Sequence, residues 1–158
     1  MGSLRPSGAI ILVVEDNETE QYVLQELLLR FEYASHVVSS GEDALVALGL
    51  AKYGAVLLDI TLPGIDGYEC VRRLRRMELE LGRRTPVIAV TGRAAQSDHD
   101  AAIEAGVDDW MSKPFEPEEL RKVLLRYAYE PNHPNLKTLT PLSSEQRDRS
   151  ESREEEQH

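Results

Sequence analysis

The chain has 158 residues, a formal net charge of −10 and 41% apolar residues, enough for one hydrophobic core. No run of about 18 apolar residues, the length that spans a bilayer, is present, so we expect a cytoplasmic protein. The single cysteine, Cys70, excludes an internal disulfide and a cysteine-based zinc site, and the acidic charge disfavours direct contact with nucleic acid.

Short apolar segments alternate with segments of helical spacing along the chain. The predicted strands are 9–14, 36–38, 55–58, 86–90 and 110–111. The predicted helices are 19–31, 67–81, 98–104, 117–127 and one through 44–48 that follows a capping box at Ser39 and Ser40. Ser97 and Gly106 are the predicted caps of the fourth helix.

This alternation predicts an α/β fold. Continuous Val, Ile and Leu runs are typical of strands covered on both faces, as in a parallel sheet with right-handed crossovers. We therefore predict a three-layer α/β/α domain with a doubly wound, five-stranded parallel sheet. In such folds the ligand site lies beyond the carboxyl ends of the strands.

The domain is predicted to cover residues 9–129. Residues 1–8 are expected to form a disordered leader, and 130–158 a disordered polar tail, since no apolar residue follows Leu142. Arginines are concentrated on and after the third helix, where they form either a solvated face or a partner-docking patch. These are Arg72, Arg73, Arg75, Arg76, Arg83 and Arg84.

Polar residues follow the predicted strands at Glu15, Asp16, Asp59, Thr91 and Lys113. A βαβ unit takes about 30 residues or more, so these positions should converge at one edge of the sheet. Three carboxylates in one cleft repel each other, and Mg²⁺, which prefers oxygen ligands, would relieve the repulsion. A carboxylate nucleophile, a metal, an ammonium and a hydroxyl suit the formation of an acyl phosphate.

Four motifs in this order resemble the receiver domain of two-component response regulators. They lie at 11–17 (ILVVEDN), 57–67 (LLDITLPGIDG), 87–92 (VIAVTG) and 105–115 (AGVDDWMSKPF). The resemblance covers roughly residues 9–129 and implies a flavodoxin-like fold with strand order 2-1-3-4-5.

The resemblance also implies a phosphorylation site and a metal site. Asp59 corresponds to the phospho-acceptor, which takes its phosphoryl group from a phosphohistidine. Glu15 and Asp16 correspond to the acidic pair that holds Mg²⁺ with Asp59, and the backbone carbonyl of Thr61 corresponds to the third protein ligand.

Three further residues correspond to the switch of the family. Thr91 matches the hydroxyl that moves toward the acyl phosphate, and Lys113 matches the lysine that pairs with its oxygens. The Lys113–Pro114 bond matches a peptide that is usually cis. Trp110 occupies the position of the switch aromatic, where smaller rings are commoner, so we expect its ring to stay outward.

The implied function is that of a signalling phospho-acceptor, which acts only on its own phosphate and is not an enzyme with an outside substrate. Its expected partners are a histidine kinase or a histidine phosphotransfer protein, and a downstream protein target. Contact with a membrane is not expected, and a homodimer stays open.

Alternatives remain for the biological context and for the class of protein. The chain is either a stand-alone regulator or the C-terminal receiver of a hybrid histidine kinase. A flavodoxin-like small-molecule module would want a phosphate loop where Glu15 and Asp16 stand. A haloacid-dehalogenase-like phosphatase would want Asp-x-Asp after the first strand, and Asp16 is followed by Asn17 and Glu18.

Overall fold

A computed structural model describes residues 9–62, 64–92 and 96–128, and for 96–98 it describes only the backbone. The predicted leader (1–8) and tail (130–158) lie outside the described residues. No helix within the described ranges combines the length and apolar character needed to cross a bilayer.

Five strands alternate with five helices in this part of the chain. The strands are β1 (Ile10–Val14), β2 (Ala34–Val38), β3 (Ala55–Asp59), β4 (Val87–Thr91) and β5 (Asp109–Ser112). The helices are α1 (Glu18–Arg30), α2 (Gly41–Leu50), α3 (Gly67–Leu81), α4 (Gln96–Ala105) and α5 (Pro117–Tyr127).

The strands form one parallel sheet in the order β2-β1-β3-β4-β5, which confirms the predicted fold class and topology. Asp59 is in register with Val90, and Thr91 is in register with Ser112. The carboxyl ends of β3, β4 and β5 therefore meet at the same edge of the sheet.

Alternate residues of each central strand face two different cores. On β1, Leu12 and Val14 pack with residues of α2, α3 and α4, whereas Ile11 and Val13 pack with residues of α1 and α5. Burial on both faces accounts for the unbroken apolar runs of the strands and produces the three layers.

The helix ends follow local hydrogen bonding. The predicted capping box is displaced by one residue: Ser40, not Ser39, caps α2 by accepting a hydrogen bond from the Asp43 N–H at 3.1 Å. Gly106 has a φ of 115° after α4, and the Val107 N–H donates to the Ala102 carbonyl at 3.1 Å, so the predicted C-terminal glycine is confirmed. The predicted Ser97 cap is wrong, because α4 already begins at Gln96.

An ionic cluster lies at the amino edge of the sheet, where β4 and β5 begin. This amino-edge cluster consists of Arg75, Glu78, Arg84 and Asp108. The Arg75 guanidinium donates to the carboxylates of Glu78 and Asp108, each at 2.8 Å, and its side chain is only 15% exposed. The interpretation of the arginines as a solvated face or docking patch is therefore wrong for Arg75.

Candidate functional site

Three residues that follow different strands meet at the carboxyl edge of the sheet. The Lys113 Nζ lies 3.1 Å from Glu15 Oε1 and 3.5 Å from Asp59 Oδ2. Glu15 and Asp59 are buried, at 2% and 7% exposure, although both are acidic. The structure thus places two carboxylates and one ammonium of the predicted site in direct contact.

The two oxygens of Asp59 have different surroundings. Oδ1 accepts hydrogen bonds from the N–H and the hydroxyl of Thr61, at 2.9 Å and 3.0 Å. Oδ2 faces Lys113. The position of Thr61 depends on Gly67, since a Cβ at this glycine would lie 2.7 Å from the Ile60 Cα. The close approach of α3 to the β3–α3 loop therefore helps to fix the Asp59 carboxylate.

The charge of Glu15 is strongly affected by its surroundings. Burial raises the pKa of Glu15 to about 7, with a further increase from the charge of Asp59, while hydrogen bonds from the Asn17 N–H and from Lys113 oppose the shift. The Asn17 contact measures 3.0 Å to Oε2. Adding negative charge at this edge is therefore unfavourable unless a cation accompanies it.

Asp16 and Glu20 differ from what the sequence suggested. Asp16 is exposed, and its role as a metal ligand stays a prediction. Among the described residues, the carboxylates that cluster are those of Glu15, Glu20 and Asp59, with ligand oxygens within 4.8 Å of one another. Glu20 was not predicted from the sequence, because an acidic residue in the first turn of a helix is common for reasons of helix electrostatics alone.

Lys113 is hydrogen-bonded to Glu20 as well as to Glu15. Burial would lower the pKa of Lys113, but the hydrogen bond to Glu20 and the charge of Asp59 outweigh it and raise that pKa. The carboxylates around Lys113 therefore favour its charged form. Together with Glu15, Glu20 and Asp59 it forms what we call the carboxyl-edge cluster.

The remaining predicted site residues lie on β4 and β5. Thr91 is buried at the end of β4, and its carbonyl accepts the Lys113 N–H at 2.8 Å. The Lys113–Pro114 peptide is cis, as the resemblance implied. Trp110 is half-buried, and its ring meets that of His99 on α4 edge-on, with centroids 5.3 Å apart. The ring is thus partly covered by α4.

Comparison with known proteins identifies the class to which this fold and site belong. Residues 11–125 match the family described as response regulator receiver domain. This match covers well over half of the chain, so the chain belongs to the response regulator receiver domain family.

Individual relatives include both regulators and kinases. The transcriptional regulatory protein TcrA of Mycobacterium tuberculosis is 40% identical over 116 residues, 73% of this chain. Hybrid signal transduction histidine kinase L of Dictyostelium discoideum is 32% identical over 127 residues, 78% of this chain. The chain spans 44% of the length of TcrA and 7% of the length of the kinase, so it matches one part of each.

A solved structure supports the same assignment. The receiver domain of sensor histidine kinase PA1611 from Pseudomonas aeruginosa, crystallised with a magnesium ion in its active-site cleft, is 38% identical to this chain. The similarity has a TM-score of 0.71 and covers 77% of this chain and 98% of that domain.

Proposed function

We propose that this chain is the phospho-acceptor of a two-component signalling system, and that Asp59 receives a phosphoryl group from a phosphohistidine on a partner protein. The observation that carries the proposal is the environment of Asp59. Its carboxylate is buried at the end of β3, fixed through Oδ1 by Thr61, and faces the Lys113 ammonium through Oδ2.

The proposed reaction is a phosphoryl transfer between two side chains. A carboxylate oxygen of Asp59 attacks the phosphorus, a phosphorus–oxygen bond forms, and the phosphorus–nitrogen bond breaks with its electron pair returning to the histidine nitrogen. Lys113 donates hydrogen bonds to the phosphoryl oxygens and compensates their charge. Thr91, buried at the next strand end, offers its hydroxyl to the same oxygens.

Glu15, Asp16, Asp59 and the carbonyl of Thr61 are the groups that would hold Mg²⁺. The donor set fits this ion, since carboxylate oxygens of Glu15 and Asp59 belong to a cluster within 4.8 Å, and Mg²⁺ prefers oxygen ligands. The magnesium ion in the cleft of the PA1611 receiver domain supports the same assignment. When bound, Mg²⁺ neutralises charge on the phosphoryl oxygens.

The consequence of phosphorylation is a shift between two conformations that changes protein contacts. A histidine kinase or a histidine phosphotransfer protein supplies the phosphoryl group, and a downstream protein binds the domain according to its phosphorylation state. Trp110 contributes to this readout from beside α4, where its ring contacts His99. The domain acts only on its own phosphate.

A second context is favoured by a specific observation. The chain aligns with 98% of a receiver domain taken from a sensor histidine kinase, at 38% identity. A receiver within a hybrid kinase would use the same Asp59 chemistry but would pass its phosphoryl group on to another histidine. The acceptor reaction is common to both contexts.

The test is to incubate the protein with Mg²⁺ and a small phosphodonor such as acetyl phosphate, and to locate the modified residue by mass spectrometry. We expect one phosphoryl group per chain, on Asp59, and none on the Asp59→Asn variant. Asp43→Asn is the matched control, because Asp43 is an exposed aspartate on α2 far from the site in sequence. Equal phosphate uptake and stability in Asp59→Asn and Asp43→Asn would contradict the proposal.

A further inference from the structure

We propose that Glu20 is a positioning residue that holds the Lys113 ammonium in the unphosphorylated protein and releases it when Asp59 becomes phosphorylated. The inference rests on the proposed function. Through Glu20, the first turn of α1 then affects how tightly the site binds a phosphoryl group.

The contacts of Lys113 carry the first step. Its Nζ is hydrogen-bonded to Glu20, and to Glu15 at 3.1 Å, whereas Asp59 Oδ2 lies at 3.5 Å, the limit of hydrogen-bond distance. In this state the ammonium is therefore shared mainly with the two glutamates. A phosphoryl group on Asp59 has to attract it away from at least one of them.

Burial decides which glutamate can release the lysine. The Glu15 side chain is 3% exposed, so without Mg²⁺ the loss of Lys113 would leave a buried charge short of a partner; with metal bound, the Mg²⁺ that Glu15 is proposed to hold would compensate that charge. The Glu20 side chain is 44% exposed, so water can replace the ammonium at little cost. Glu20 is thus the partner that can exchange the ammonium for water whether or not metal is bound.

Space for this movement is present beside the pair. A groove with a volume of about 510 Å³ is lined by Glu20, Lys113 and apolar residues of α1 and of the segment from Pro114 to Pro117. The groove leaves open volume next to the Glu20 and Lys113 side chains. Lys113, at 22% exposure, needs only a small shift toward Asp59.

Glu20 and the phosphoryl group therefore compete for the Lys113 ammonium. Each time the site binds a phosphoryl group, the Lys113–Glu20 contact has to break, so Glu20 weakens phosphoryl binding by the free energy of that contact. Half-exposed ion pairs contribute little, and removal of this one should strengthen binding by about two- to fivefold.

The first measurement is the affinity for beryllofluoride, a phosphoryl mimic, in saturating Mg²⁺ by fluorine NMR. We expect Glu20→Gln to bind about two- to fivefold more tightly than the unsubstituted protein. Glu18→Gln is the matched control, because it removes the same charge from an exposed position in the same helical turn. Its affinity should stay unchanged.

The second measurement follows the lysine itself. With only four lysines in the chain, side-chain nitrogen NMR can resolve Lys113 and report its contacts. Without the mimic, the Lys113 Nζ signal should differ between Glu20→Gln and Glu18→Gln. With the mimic bound, the signals of the two variants should coincide.

Three results would overturn the role of Glu20 without affecting the proposed phospho-acceptor function. The first two are equal mimic affinity in the two variants and an unshifted Lys113 signal in unliganded Glu20→Gln. The third is weaker mimic binding in Glu20→Gln with a parallel loss of Mg²⁺ affinity. The last would make Glu20 a metal ligand. Failure of the unsubstituted protein to bind the mimic at all would instead overturn the proposed phospho-acceptor function, and the role of Glu20 with it.

Discussion

The carboxyl-edge cluster and the amino-edge cluster lie at opposite ends of the same sheet and balance their charges differently. At the amino edge, two arginines meet two carboxylates. At the carboxyl edge, a single lysine contacts three carboxylates. One cluster is neutral as folded, and the other keeps an excess of negative charge.

The two clusters also differ in how completely their buried charges are hydrogen-bonded. Arg75 also donates to the carbonyls of Gly106 and Thr85, and the second oxygen of Glu78 accepts the Thr85 N–H at 2.6 Å. The buried charges of the amino edge are therefore fully paired. At the carboxyl edge, burial and the charge of Asp59 raise the pKa of Glu15, and its hydrogen bonds do not fully offset them. A matched cluster stabilises the fold, whereas an unmatched one is suited to binding a cation and a phosphoryl group.

The largest effect is expected from removing the centre of the matched cluster. Arg75→Met should lower the free energy of unfolding by about 3 kcal/mol, because it leaves the buried carboxylate of Glu78 without its cationic partner. Urea denaturation measures this change. Arg76→Met is the control: Arg76 is 65% exposed and lies 3.6 Å from Glu69, so its loss should change little. A loss below 1 kcal/mol for Arg75→Met would show that the cluster is not a structural anchor.

A smaller effect of opposite sign is expected at the unmatched cluster. Asp59→Asn should raise the free energy of unfolding of the metal-free protein by about 1 kcal/mol, because it removes one of the repelling buried charges. Asp16→Asn should raise it less, since Asp16 is exposed. Urea denaturation in EDTA tests both variants. If Asp59→Asn is less stable than the unsubstituted protein without metal, the carboxyl edge is not under electrostatic repulsion.

The smallest effect is expected at the outer arginine of the amino-edge cluster. Arg84→Gln removes a 2.7 Å contact with Asp108, but the Arg84 side chain is 59% exposed. We expect a loss of about 0.5 kcal/mol that shrinks further in high salt, because exposed ion pairs are weak and screened. Thermal denaturation at two salt concentrations checks this. A loss as large as that of Arg75→Met would mean that the two arginines act as one unit.

Local sequence patterns were sufficient to predict the elements and their order. Apolar runs such as 55–58 can only be buried on both faces, and the residues after them then fall at one edge of a parallel sheet. Predicted boundaries differed from the structure by a few residues at most, as at Ser97, because helix ends depend on individual hydrogen bonds. The identity of the family came from four motifs, and the matching family confirmed it.

Sequence patterns alone thus predict the α/β/α architecture, the strand-end position of Glu15, Asp59 and Lys113, and the family. How those charges are shared depends on tertiary packing. The first turn of α1 brings Glu20 to Lys113, and the α4–β5 loop brings Asp108 to Arg75, through contacts that span 93 and 33 residues. Sequence periodicity reports which side of a helix is apolar, but it carries no information about which charges from distant segments meet. Tertiary packing fixes which charges pair. This pairing makes Arg75 a structural residue, whereas neighbouring arginines stay in contact with water.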